Sequence, residues 1–169
     1  MDFRVKLAKQ ALEAFVENHV ILSQNTANSA LLDEKAGCFV TIYKNKRLRG
    51  CIGTIFPTQE NLALEIIRNA IAAGTEDPRF MIVQNEELDD LVYSVDVLKA
   101  PEKISSIEQL DIKKYGVIVR GTYGRTGLLL PNIDGVNSIE EQVAIAREKA
   151  GLRESDFYTL ERFEVIRYK

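Results

Sequence analysis

The chain contains a single histidine, His19, and two cysteines, Cys38 and Cys51, among its 169 residues. Two thiols cannot supply a zinc ligand set or a disulfide framework from sulfur, so neither a metal nor a cofactor is expected. The lone imidazole falls on the apolar side of a helical pattern near its end. There it is expected to be packed, or to favour the helix dipole, rather than to serve as the base of a Cys-His pair. A basic balance is missing as well: 22 Lys and Arg face 25 Asp and Glu, for a net charge of -3. That argues against non-specific binding to nucleic acid or to anionic membranes. The opening MDFRVKLAKQ scatters charges where a leader or a spanning helix needs an apolar run, so a cytoplasmic protein is expected. Internal repeats, low-complexity tracts and flexible linkers are absent too.

What is present suffices for a core. With 46% hydrophobic residues, the chain can form one compact domain, with room for two lobes, and bury about two thirds of its unfolded surface. Residues 2–19 place Val5, Ala8, Leu12, Phe15 and Val16 at helical spacing. Two β-rich runs, 38–43 and 48–56, flank the polar tip Lys44-Asn45-Lys46-Arg47 and read as a hairpin. Thr58 is the expected cap of a helix reaching Ala73, with Gly74 at its stop. Asp77-Pro78 suits a turn or a helix start. The acidic stretch 86–90 is expected to be exposed, with a strand following at 91–98. Runs 115–120 and 128–130 bracket GTYGRTG, which reads as a hairpin with positive-φ residues because the lysine and following helix of a phosphate loop are missing. Ser138-Ile139-Glu140-Glu141 is a capping box opening a helix that ends near Gly151, and residues 158–168 form a last strand. Helices and hairpins interspersed in this way predict a mixed α+β fold, with a largely antiparallel sheet flanked by helices.

The stretch LRGCIGT at residues 48–54 carries the most chemistry. Strand alternation puts Arg49 and Cys51 on one face and Leu48, Ile52 and Thr54 on the other. A cation beside a thiol lowers its pKa and makes it a nucleophile or redox group; the alternative is a small buried hydrophobe. Gly50 and Gly53 weaken a strand and mark places where a ligand or a second backbone comes close. If Asn45 and Lys46 form a two-residue loop, Val40 pairs with Cys51 and Cys38 lies one diagonal step away on the same face. Such neighbours are about 7–8 Å apart, too far for an unstrained disulfide. Asp77 and Arg79 can line a groove with Cys51, or cap a turn and form a salt bridge. Ser94 and Asp96 share a strand face, which reads as a solvent side or as an acid facing a cleft. The basic tip from Lys44 to Arg49 is a solvated hairpin or, as a weaker alternative, a nucleic-acid contact.

LRGCIGT, with GCFVTIY before it and DPRF after it, resembles the hallmark of the AMMECR-type domain, the A protein of the AmmeMemoRadiSam system. ELDDLVYSVDVLKAPEKI, YGVIVRGTYGRTGLLLP and KAGL extend the resemblance over nearly the whole chain. It implies a two-lobed α+β fold with a groove, and association with a Memo-like protein and a radical S-adenosylmethionine enzyme. It supplies no established reaction. On this reading Cys51 and Arg49 are the catalytic candidates, with Gly50, Gly53, Thr54, Asp77 and Arg79 binding an unidentified small molecule. Three functions follow: an enzyme or enzyme component, a non-catalytic module for a protein or ligand, and nucleic-acid binding. Ser94 and Asp96 stand where many family members have an acid followed by a serine, and Tyr115 where some have histidine.

Overall fold

A computed structural model describes residues 1–169. The fold is α+β, with antiparallel strand pairings in each of its two compact units. The first unit comprises residues 1–98 and 166–169, the second residues 99–165.

In the first unit, helix α1 (Phe3–Asn18) starts where the Asp2 carboxylate accepts the Arg4 N–H at 2.9 Å. It ends without glycine: His19 takes the left-handed conformation, φ 56°, while the Val20 N–H reaches back to Ala14 O. His19 is therefore an exposed cap, edge-on to the Phe15 ring, and not the packed residue its spacing suggested. Strands β1 (Cys38–Lys44) and β2 (Arg47–Gly53) form the expected hairpin. Asn45 and Lys46 both have positive φ, as a tight two-residue turn matching the strand twist requires. Strand β3 (Leu91–Leu98) pairs with the other edge of β1.

Helix α2 (Leu62–Thr75) lies against β1, β2 and α1. Its N-cap is Asn61, whose side chain accepts the Leu64 N–H, so the helix begins later than Thr58. It also runs past Gly74, which sits where a Cβ would be 2.4 Å from the Leu12 side chain. Leu12, Ile42, Leu62, Ile66 and Val95 are fully enclosed in this core. Each contributes about 1.5–3 kcal/mol by leaving water.

The second unit holds β4 (Glu102–Ile104), β5 (Tyr115–Gly121), β6 (Thr126–Leu129), helix α3 (Ile139–Lys149) and most of β7 (Tyr158–Tyr168). Strand β5 lies between β6 and β7, with β4 on the other side of β7. Gly127 lets β6 approach α3 closely, since a Cβ there would stand 1.8 Å from Ala146 O. The GTYGRTG segment is the expected hairpin connection, with Tyr123 and Gly124 at positive φ. Ser138 caps α3 by accepting the Glu141 N–H at 3.1 Å. The return bond of the box is displaced by one residue, because the Glu141 carboxylate takes the Asn137 N–H.

Candidate functional site

The register of the first hairpin decides what surrounds Cys51. Lys44 pairs with Arg47 as expected, but a bulge follows: Tyr43 opposes Leu48 and Ile42 opposes Gly50, leaving Arg49 as the extra residue. Beyond the bulge every partner shifts by one, so Cys51 faces Thr41 rather than Val40. Cys38 consequently lies not on the Cys51 face but in the core, with Val40 and Ile42. Both thiols are free. Burial pushes the Cys38 thiol up to about 12, the Asn69 hydrogen bond only partly opposing it.

Gly50 faces the helix: a Cβ there would lie 2.1 Å from Ala73 O. Its missing side chain allows the close packing of β2 on α2. Thr54 points the same way, donating to Glu65 Oε1 at 2.6 Å and accepting from Asn69 Nδ2 at 3.1 Å. Gly53 lies on the opposite face beneath Phe39, whose ring would stand 2.3 Å from an added Cβ.

Cys51 is half-buried on the face turned away from α2, with Sγ 3.3 Å from Thr41 Oγ1. Its backbone is held on the free edge of β2 by the segment after α2. The Cys51 N–H donates to Asp77 Oδ2 at 2.9 Å, and Arg79 Nη2 donates to Cys51 O at 3.4 Å. Asp77 and Arg79 thus satisfy an edge strand's donor and acceptor as a neighbouring strand would. Asp77 also accepts the Arg79 backbone N–H in a tight turn, the first of the two conformations its sequence allowed. The carboxyl of Asp77 is held far below its usual range, chiefly by the Arg79 side chain; burial opposes this, and the Cys51 and Arg79 N–H groups add to the lowering. The Arg79 side chain is 55% exposed, so its guanidinium stays open to solvent beside the Cys51 carbonyl.

Arg49 is engaged elsewhere. Its guanidinium makes two hydrogen bonds to Glu87, at 3.0 and 2.8 Å, and a third to Met81 O at 2.9 Å. Glu87 also accepts from Lys44 at 3.1 Å, and its carboxyl is held down to about 2, chiefly by Arg49. The acidic stretch expected to be solvated therefore contributes a half-buried anchor, and two cations of the basic tip are already paired. The cation nearest the Cys51 backbone is Arg79, not Arg49, because the bulge redirects the Arg49 side chain.

On the same sheet face, Thr41 pairs across to Ser94, and Phe39 to Asp96. Neither Ser94 nor Asp96 is on a solvent side; they are 3% and 4% exposed. Asp96 accepts two hydrogen bonds from Arg167, each 2.7 Å. That pair keeps the Arg167 guanidinium protonated above its usual range, with the fields of Tyr43 and Cys51 adding smaller contributions. Cys51, Thr41 and Ser94 therefore form a row across three strands, with Arg79 at one end and the Asp96–Arg167 pair at the other.

Sequence reading missed Thr41, Arg167 and Glu65. Glu65 is fully buried at the start of α2 and accepts from Thr54, from the Thr58 hydroxyl and N–H, and from the Gln59 N–H. Burial works to raise its pKa, and these four donors together bring it below the usual value. A single carboxylate inside the apolar run LALEII was the available signal. No helix is long and apolar enough to cross a membrane.

The AMMECR1 family model matches residues 5–169. A protein of Thermotoga maritima is 51% identical over 98% of this chain and 96% of its own length. One from Clostridium acetobutylicum is 50% identical over 99% of the chain, which spans only 36% of that relative. The crystal structure of an uncharacterised Pyrococcus horikoshii protein superposes with a TM-score of 0.82 at 32% identity, covering 98% of this chain and 88% of that one.

Proposed function

The chain belongs to the AMMECR1 family, and we propose that it is a cytoplasmic enzyme or enzyme component whose working group is the Cys51 thiol. Its expected chemistry is redox or group transfer, alongside a Memo-like protein and a radical S-adenosylmethionine enzyme, the partners implied by the family resemblance. The observation that carries the reading is the setting of Cys51: a half-exposed thiol touching the Thr41 hydroxyl, its backbone clamped by Asp77 and by the solvent-open guanidinium of Arg79. A half-exposed thiol is open to a substrate or reagent, whereas Cys38 is sealed in the core.

Alkylation of the native protein tests it. Cys38, with its pKa pushed up to about 12, has a thiolate fraction at pH 8 of roughly one in ten thousand, and it is sealed in the core. Cys51 is expected to react with iodoacetamide at least a hundredfold faster, and Cys51→Ser to abolish the fast phase. Equally slow labelling of both thiols would overturn the reading.

A second reading, a non-catalytic module for a protein partner, is favoured by a different observation. Leu48, Met81 and Ile82 are exposed by 39%, 85% and 55%, close to the bond from Arg49 to Met81 O. Reconstitution with the two partners separates the alternatives: Cys51→Ser removes turnover under the first reading and leaves complex formation and turnover intact under the second.

A further inference from the structure

A cavity of about 410 Å³ opens on the first unit, within the size range of small-molecule sites. Residues 91–94 all line it. Consecutive strand residues alternate between faces, so the lining takes in side chains from both faces of β3. Val5, Leu91 and Val92 give it an apolar body, while Tyr43, Ser94 and Arg167 give it a polar end.

Two features of the polar end are unexplained by folding. The hydroxyl of Ser94, a residue only 3% exposed, has no hydrogen-bond partner, and neither does that of Tyr93, which also lines the cavity. Buried polar groups left unpaired are costly, so an acceptor brought in through the cavity would be stabilised by them. Arg167 is oriented by Asp96 through Nε and Nη2, which leaves Nη1 free as a charged donor. The side chain is 53% exposed, so that donor is within reach of a ligand.

We infer that this cavity binds a small carboxylic acid with an apolar body, its carboxylate received by the Ser94 hydroxyl and the free edge of the Arg167 guanidinium. Asp96 decides the charge of the headgroup. It already neutralises one edge of Arg167, so a single negative charge finds a matching donor, whereas a dianionic phosphate is repelled by the neighbouring carboxylate. The apolar wall accounts for the body of the ligand. Ser94 lies two strand spacings from Cys51, about 10 Å, so the site is separate from the thiol and stands without the Cys51 reading.

Calorimetric titration of the full chain with octanoate, octyl phosphate and 1-octanol tests the inference. Octanoate is expected to bind saturably and at least tenfold more tightly than either of the others. Ser94→Ala is expected to weaken octanoate about tenfold, the loss of one hydrogen bond to a charged group, while leaving octanol unchanged. Arg167→Lys keeps a cation beside Asp96, so it protects folding while losing the planar donor edge, and it is expected to weaken octanoate similarly. Equal binding of octanoate and octanol, tighter binding of octyl phosphate, or unaltered octanoate affinity in Ser94→Ala would each overturn the proposal, as would no octanoate binding by the native protein.

Discussion

Replacing Asp77 by alanine is expected to cost more stability than replacing its ion-pair partner Arg79, although both changes break the same salt bridge. Asp77 is 5% exposed and accepts the Cys51 N–H on the free edge of β2. Removing it orphans that half-buried donor, at about 1–3 kcal/mol. The pair with Arg79 adds about 1 kcal/mol or less, because the guanidinium is 55% exposed and screened by solvent. Asp77→Ala therefore loses about 2–3 kcal/mol, whereas Arg79→Ala, which keeps the acceptor for Cys51, loses about 1 kcal/mol or less. Urea unfolding reads this as a midpoint shift of about 1 M for Asp77→Ala, with little change in slope. The sign with pH follows from the depressed carboxyl. Its contribution is complete above the unfolded-state value near 4, and is lost as pH falls through the lower folded-state value. The gap between wild type and Asp77→Asn is thus expected to be full at pH 6 and to shrink progressively below about pH 4. An Arg79→Ala midpoint at or below that of Asp77→Ala would refute the edge-clamp argument, because the ion pair would then outweigh the backbone acceptor.

Gly50→Ala forces a methyl to within 2.1 Å of Ala73 O and is expected to lower stability by about 1–3 kcal/mol, read by thermal melting; an unchanged melting temperature would mean that β2 does not depend on close approach to α2. Glu65→Gln turns an amide toward N–H donors in a buried site and is expected to cost about 2–4 kcal/mol at pH 7. Because the Glu65 carboxyl is lowered in the folded state, that gap narrows from pH 7 to pH 3, and a gap widening at low pH would contradict the assignment. Ser138→Ala leaves the Glu141 N–H without its cap and is expected to cost about 1 kcal/mol in denaturant melts, with Cys51 alkylation unaffected.

The sequence by itself determined the elements, because each rests on local chemistry. Asn45-Lys46 between two β-rich runs closes a tight turn, Ser138 satisfies a helix N–H, and the spacing of Leu12 with its neighbours buries one face of α1. The motif LRGCIGT likewise marked Cys51, and DPRF marked the segment that clamps it. Register was not legible, since one extra residue at Arg49 shifts every pairing beyond it by one and no local preference announces the bulge. That single displacement placed Thr41, not Val40, against the thiol, sent Cys38 to the core and freed Arg49 to bind Glu87. The partners of buried charges were equally out of reach. Asp96 finds Arg167 at a sequence separation of 71 residues, and Gly50 meets a carbonyl of α2, so whether a polar residue faces water or a glycine faces a ligand is decided by what tertiary packing brings alongside.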